Sequence, residues 1–129
     1  MQVDPTYDDV VAEIRAFLRL RAAAAREAGV REVWVDPGIG FGKTTEHNLS
    51  LLHHLDDLAG DGCPVVVGTS RKRFLGQLTG GAPVDDRVEA SVATALWAVE
   101  RGASMVRVHD VAPVVQGLRI AGDRVAVPS

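Results

Sequence analysis

The chain has 129 residues, 47% of them hydrophobic and 24% charged, with a formal net charge of -3. That length and apolar content suit one ordinary domain with a buried core and exclude a disordered chain. The mild acidity argues against a general nucleic-acid binder, and Cys63, the sole cysteine, excludes an intrachain disulfide or a multi-cysteine zinc site.

The opening residues, Met1-Gln2-Val3-Asp4-Pro5, show neither the basic nor the apolar segment of a secretory signal. No apolar run approaches the ~20 residues of a membrane span, so a cytoplasmic setting without membrane or nucleic-acid partners is expected. Thr6 and Asp9 have capping-box spacing, and Val10, Ile14, Phe17 and Leu18 follow at helical spacing, which predicts a helix from about Tyr7 to Ala28 stopped by Gly29. Val33–Val35 reads as a short strand. It runs into Asp36-Pro37-Gly38-Ile39-Gly40-Phe41-Gly42-Lys43-Thr44, a glycine-rich loop that can turn sharply or approach a ligand closely.

Thr44 or Thr45 then caps a second helix with Leu51, Leu52, Leu55 and Leu58 on one face, ended by Gly60 or Gly62. Cys63 reads as a small buried residue before Pro64–Val67, a strand without polar alternation, as expected where both sheet faces are covered. Ser70–Leu78 predicts a short helix. Asp86 and Glu89 are placed to cap a third long helix with the stripe Val88, Val92, Ala95, Leu96 and Val99, closed by Gly102. Met105–Val108 is a third strand. Pro113, Val114, Val115 and Leu118 suit a last helix, and Gly122–Ser129 a weakly structured tail.

Strands and helices alternate, which implies parallel pairing through right-handed crossovers. Three such strands leave open edges. The pattern is that of an α/β chain forming the C-terminal portion of a TIM (β/α)8 barrel, with residues 1–129 as a partial domain whose N-terminal strands are absent.

Three strand ends carry the chemistry. A Walker loop ending at Gly42-Lys43-Thr44 requires glycine at position 37, which is Pro37, and Gly38 with Gly40 would require a dinucleotide glycine at position 43, which is Lys43. A nucleotide-binding module is therefore disfavoured. Asp36 remains: it can bond the amides of its own turn, or accept two parallel N–H bonds from a planar amidine-like group. After the second strand, Gly68-Thr69-Ser70-Arg71-Lys72-Arg73-Phe74 gathers three cations, read either as a solvated basic turn or as the seat of an anion or electron-rich ligand. In the third strand Arg107 and His109 share a face. Arg107 would be satisfied by a phosphate-like anion or by an acid such as Asp110 or one on another strand. His47, His53 and His54 have no metal spacing and are expected as partly exposed positions on the second helix. Trp97 falls off its helix stripe and is expected to cover a neighbouring surface.

Asp36–Phe41, Ser70–Lys72 and Arg107–His109, with His47-Asn48 between them, resemble the C-terminal part of the dihydropteroate synthase family over about Tyr7 to Ile120. That resemblance implies a transferase of folate biosynthesis. It joins 6-hydroxymethyl-7,8-dihydropterin pyrophosphate to p-aminobenzoate and releases pyrophosphate, with Mg²⁺ accompanying the pyrophosphate and no metal ligand in this chain. By position, Lys72, Arg107 and His109 are the catalytic candidates, and Asp36, Phe41, Gly68, Lys72, Arg73, Arg107 and His109 the substrate-binding ones. Asp36 would hold the pterin's amino-pyrimidinone edge and Lys72 its acceptor side. Arg107 and His109 would hold the pyrophosphate, and Phe41 would pack on the aminobenzoate ring. Many members have serine where this chain has Arg73, which would face the aminobenzoate carboxylate. The alternatives are a non-catalytic paralogue and a pterin-binding methyltransferase domain. The chain alone is expected to be inactive, and to form a homodimer or pair with a complementing N-terminal half.

Overall fold

Residues 7–121 are described by the computed structural model. Three parallel segments form its sheet. β1 (Val66–Val67) pairs in parallel with β2 (Met105–Val106), with Val66 beside Met105 and Val67 beside Val106. The strand predicted at Val33–Val35 is reduced to one parallel bridge between Val35 and Val65, closed by bonds from Val35 N to Pro64 O (3.0 Å) and from Val66 N to Val35 O (2.8 Å). β1 is thus central, and the segments lie side by side in chain order.

Helices cover one side of this sheet. α1 (Val10–Glu27) begins at Asp9, whose side chain accepts from Ala12 N, while the Glu13 carboxylate accepts from Asp9 N. The box is therefore built on Asp9, three residues later than predicted, and Thr6 lies outside the described residues, as does the tail predicted to be weakly structured. Phe17, placed on the core stripe by its spacing, is 52% exposed, with the Arg21 guanidinium over its ring.

α2 (Thr45–His53) and α3 (Leu55–Ala59) replace the single second helix. Thr44 caps α2 reciprocally: its hydroxyl accepts from His47 N, and His47 Nδ1 accepts from Thr44 N. The chain breaks at His54, yet Leu51, Leu52 and Leu55 are all fully buried and Leu58 almost so. These leucines meet Val65 and Val67 in the core, with Val35 and Val106 packed against it.

α4 (Arg73–Leu78) starts three residues later than predicted because Ser70–Lys72 is occupied by loop contacts described below. A 3-10 turn (Val84–Asp86) precedes α5 (Val88–Glu100). The expected cap by Asp86 and Glu89 is not made: Asp86 belongs to the 3-10 turn, and Arg87 occupies the N-cap without a side-chain bond. The buried face of α5 is Ser91, Thr94, Ala95 and Ala98; of the predicted stripe only Ala95 lies on it, while Val88, Val92, Leu96 and Val99 are half-buried. Thr94 Oγ1 lies 2.7 Å from Thr69 Oγ1, so this helix docks partly through hydroxyls. Trp97 packs against the core edge and meets His53 edge-on. α6 (Val111–Ala121) packs on α5.

Cys63 is buried, as expected, and its thiol sulfur accepts from Arg26 Nη2 at 3.0 Å. Among the described residues, no helix is long and apolar enough to cross a membrane.

Candidate active site

In parallel strands, laterally paired residues share a face and successive residues alternate between faces. Val35, Val65, Val67 and Val106 face the helices. The residues that follow them, Asp36, Gly68 and Arg107, come out on the opposite side at the C-terminal ends of the strands. Functional groups of α/β barrels gather at that end.

Arg107 reaches across Gly68 to Asp36, with Nη1 3.4 Å from Oδ2. Gly68 makes this crossing possible. A Cβ there would stand 2.8 Å from Arg107 Nη2, closer than real contacts allow. Asp110, the acid nearest Arg107 in sequence, pairs instead with Arg71 through bonds of 2.8 and 3.2 Å. The other Asp36 oxygen accepts from Gly38 N at 2.8 Å, so the carboxylate caps its own turn and faces a guanidinium at once.

The glycine loop is held from three sides. Gly40 N donates to Oδ1 of Asn48, which is almost fully buried on α2. Lys43 Nζ donates to the carbonyls of Gly38 and Phe41, each at 3.0 Å. Lys72 Nζ donates to Ile39 O and lies 4.2 Å above the exposed Phe41 ring. Gly40 has φ +87°, and a Cβ on it would meet Lys72 Cδ at 2.7 Å. Only glycine fits there without strain. Burial pushes the Lys72 ammonium below its usual range; Arg107 and Lys43 push the same way, while Asp36 opposes them. Lys43 is also lowered, mainly by burial.

The segment after β1 carries the other half of the rim. Arg71 has φ +57°, sparsely populated for a residue with a side chain. Its backbone and side chain are both held: its N–H donates to Ser91 Oγ at 3.0 Å, its carbonyl accepts from Arg87 Nη1 at 3.1 Å, and its guanidinium is bidentate on Asp110. On one side of it Ser70 meets His109, at 3.1 Å from the backbone N and 2.9 Å from Nδ1. On the other side Lys72 turns toward the glycine loop. Arg73 stands exposed in the first turn of α4.

The predicted residues Asp36, Gly68, Lys72, Arg107 and His109 therefore occupy adjoining strand ends, with Phe41 beneath Lys72 and Arg73 beyond it. Sequence reasoning gave no role to Ser91, weighed Lys43 only in the rejected Walker loop and Arg71 only as one of three cations in the Ser70–Lys72 motif region, and saw Asn48 only as a resemblance. A polar residue on an otherwise apolar face, as at Asn48 and Ser91, is the signal that could have found two of them.

The carboxylates at this end, Asp36 and Asp110, each face an arginine. No cluster of three metal-ligating side chains exists among the described residues. The rim is a cationic seat in which Asp36, the acid held by the longer arginine contact, can still accept hydrogen bonds, an arrangement able to take an anion joined to a planar group bearing N–H donors.

A family model described as "Pterin binding enzyme" matches residues 1–109. The dihydropteroate synthase of Neisseria meningitidis serogroup C is 45% identical over 122 residues, which is 92% of this chain and 43% of that protein. The crystal structure of dihydropteroate synthase from Stenotrophomonas maltophilia with active site-bound imidazole is 51% identical, with a TM-score of 0.93 over 100% of this chain and 49% of that one. The synthase from Thermus thermophilus in complex with 6HMPPP is 48% identical, with a TM-score of 0.90 over 94% of this chain and 49% of that one. The chain thus spans under half the length of the curated relatives it matches.

Proposed function

This chain belongs to the pterin binding enzyme family, with the fold of the C-terminal portion of a dihydropteroate synthase barrel, and from that membership we propose that it supplies one wall of a dihydropteroate synthase site. The observation that carries the reading is the Asp36–Arg107 contact across bare Gly68, flanked by Lys72 and His109. It puts a two-acceptor group beside an anion seat, as a pterin bearing a pyrophosphate requires.

The reaction is a displacement. The aminobenzoate nitrogen forms a bond to the methylene carbon of the pterin, the carbon–oxygen bond to pyrophosphate breaks with its electron pair, and the nitrogen loses a proton to solvent. The amine needs no strong base, so the main demand is electrostatic. Arg107 and His109 hold the departing pyrophosphate. The 3.4 Å contact to Asp36 is long for a charged pair, so the guanidinium can turn to an incoming anion. Asp36 accepts from the pterin edge, and Lys72 donates to its acceptor side after leaving Ile39 O. Phe41 packs on the aminobenzoate ring, and Arg73 faces its carboxylate.

Mg²⁺ accompanies the pyrophosphate in this reading, but the described side chains form no seat for it, and no step here runs through it. The chain spans under half of its curated relatives, and positioning supplied by the rest of such a barrel contributes much of the rate, so these 129 residues taken alone are expected to be inactive. Trp34 (37% exposed) and Met105 (50% exposed), on the side of the sheet away from the helices, support covering by a complementing N-terminal half or a second copy. A cytoplasmic setting completes the proposal.

Calorimetry with 6-hydroxymethyl-7,8-dihydropterin pyrophosphate, p-aminobenzoate and ATP tests it. Weak binding of the pterin pyrophosphate, lost in Asp36→Asn and Arg107→Ala, is expected. Binding of ATP without the pterin would overturn it, and turnover by the 129-residue chain would overturn its inactivity.

A further inference from the structure

Ser70 Oγ stands between two nitrogens of one residue, 3.1 Å from His109 N and 2.9 Å from His109 Nδ1. A backbone N–H can only donate, so it occupies a lone pair of the hydroxyl. Ser70 is 5% exposed, and no other acceptor for its proton is found among the described hydrogen bonds. The hydroxyl proton therefore goes to Nδ1. The reverse arrangement would place two donors on one oxygen and strand a buried O–H, which is costly.

A carboxylate beside the ring would demand the opposite, an Nδ1–H donor. The acid next in sequence, Asp110, is withheld from that role because both of its oxygens face Arg71. The left-handed Arg71 thus has a chemical consequence for its neighbour: it engages both oxygens of the acid and leaves Nδ1 of the ring to a hydroxyl.

We propose that Ser70 is a positioning residue that fixes neutral His109 as the Nε2–H tautomer, presenting a donor to a pyrophosphate oxygen without requiring a charged ring. Only the identity of the ligand rests on the functional reading above; the tautomer stands on Ser70, Arg71 and Asp110 alone.

Long-range nitrogen–proton NMR spectra of the full chain, recorded where its imidazoles are neutral and assigned with His109→Gln, test this. The wild-type ring should show a proton-free Nδ1 and a protonated Nε2. Ser70→Ala should move both nitrogens toward the averaged shifts of a tautomer mixture, and Ser70→Thr should restore the wild-type pattern. Affinity for inorganic pyrophosphate should fall about three- to tenfold in Ser70→Ala, the usual worth of one hydrogen bond, and recover in Ser70→Thr. A protonated Nδ1 in the wild type overturns the proposal even if no variant folds, as does a Ser70→Ala ring identical to the wild type. An Nε2–H ring with no pyrophosphate affinity in any variant overturns the functional reading and the ligand role, while the tautomer assignment survives.

Discussion

On the helix side of the sheet, Val35, Val65, Val67 and Val106 meet the leucines of α2 and α3. On the opposite side, one residue further along each segment, Asp36, Gly68 and Arg107 meet one another. The helix side is dry and held by shape. The other side is open, charged, and held by bonds that a ligand can replace. The contrast shows how short strands do both jobs: alternation gives the core and the site to the same backbone, so stability and binding should respond to different substitutions on adjacent residues.

The largest expected effect breaks the helix side. Leu52→Ala should cost about 2–5 kcal/mol in urea denaturation, the range for a buried leucine truncated to a cavity. A smaller value would mean that α2 is held mainly by its Thr44–His47 cap. On the loop above the rim, Gly40→Ala should cost about 1–2 kcal/mol, the strain of a left-handed residue with a side chain, and should also displace Lys72. Gly68→Ala should separate the two faces most cleanly. Its unfolding midpoint should stay near wild type, while pyrophosphate affinity, followed by calorimetry, should fall about tenfold, or ~1.4 kcal/mol. An equal loss of stability would show that the Arg107 crossing belongs to the core rather than the site.

The smallest effects come from two ion pairs. Asp61 beside Arg15 and Asp110 beside Arg71 are both held below the usual carboxylate range, chiefly by the hydrogen bond from the arginine. Their folded values lie below the unfolded ones. The stability they add is therefore present above the ordinary carboxylate pKa of ~4 and is lost as pH falls through the lowered values. Asp61→Asn and Asp110→Asn should each flatten the acid limb of the stability curve slightly. Only Asp110→Asn should also change the His109 ring spectrum.

The apolar half of this comparison could be read directly, because burial leaves a periodic trace: Leu51, Leu52, Leu55 and Leu58, and the run Val65–Val67, announce their partners by type alone. Of the strand-end charges, Arg107 was legible for the converse reason, a cation in an apolar strand being costly unless something holds it, and Asp36 by its place at a strand end; Lys72 and His109 gained their roles only through the family resemblance. What could not be read depended on partners distant in sequence. Asp86 and Glu89 had the spacing of a cap, but Val84–Asp86 closed into its own turn. Ser91 and Thr94 face inward, where their hydroxyls meet Arg71 N and the Thr69 hydroxyl. Arg71 itself carries no sign that it adopts φ +57°. Its conformation follows from Ser91, Arg87 and Asp110 meeting around it.

The register of Val66 beside Met105 and Val67 beside Val106 has a consequence for error. A slip of one residue in such a sheet exchanges its two faces. It would drive the Arg107 guanidinium among Leu51, Leu52 and Leu55 and turn a valine out to water. Every misregistered sheet would thus lose its leucine packing in the same step that scatters its charges. A sheet only a few residues wide proofreads its own assembly in this way: chains that fold stably enough to persist have also placed Asp36, Gly68 and Arg107 correctly, and misregistered look-alikes should not accumulate beside them.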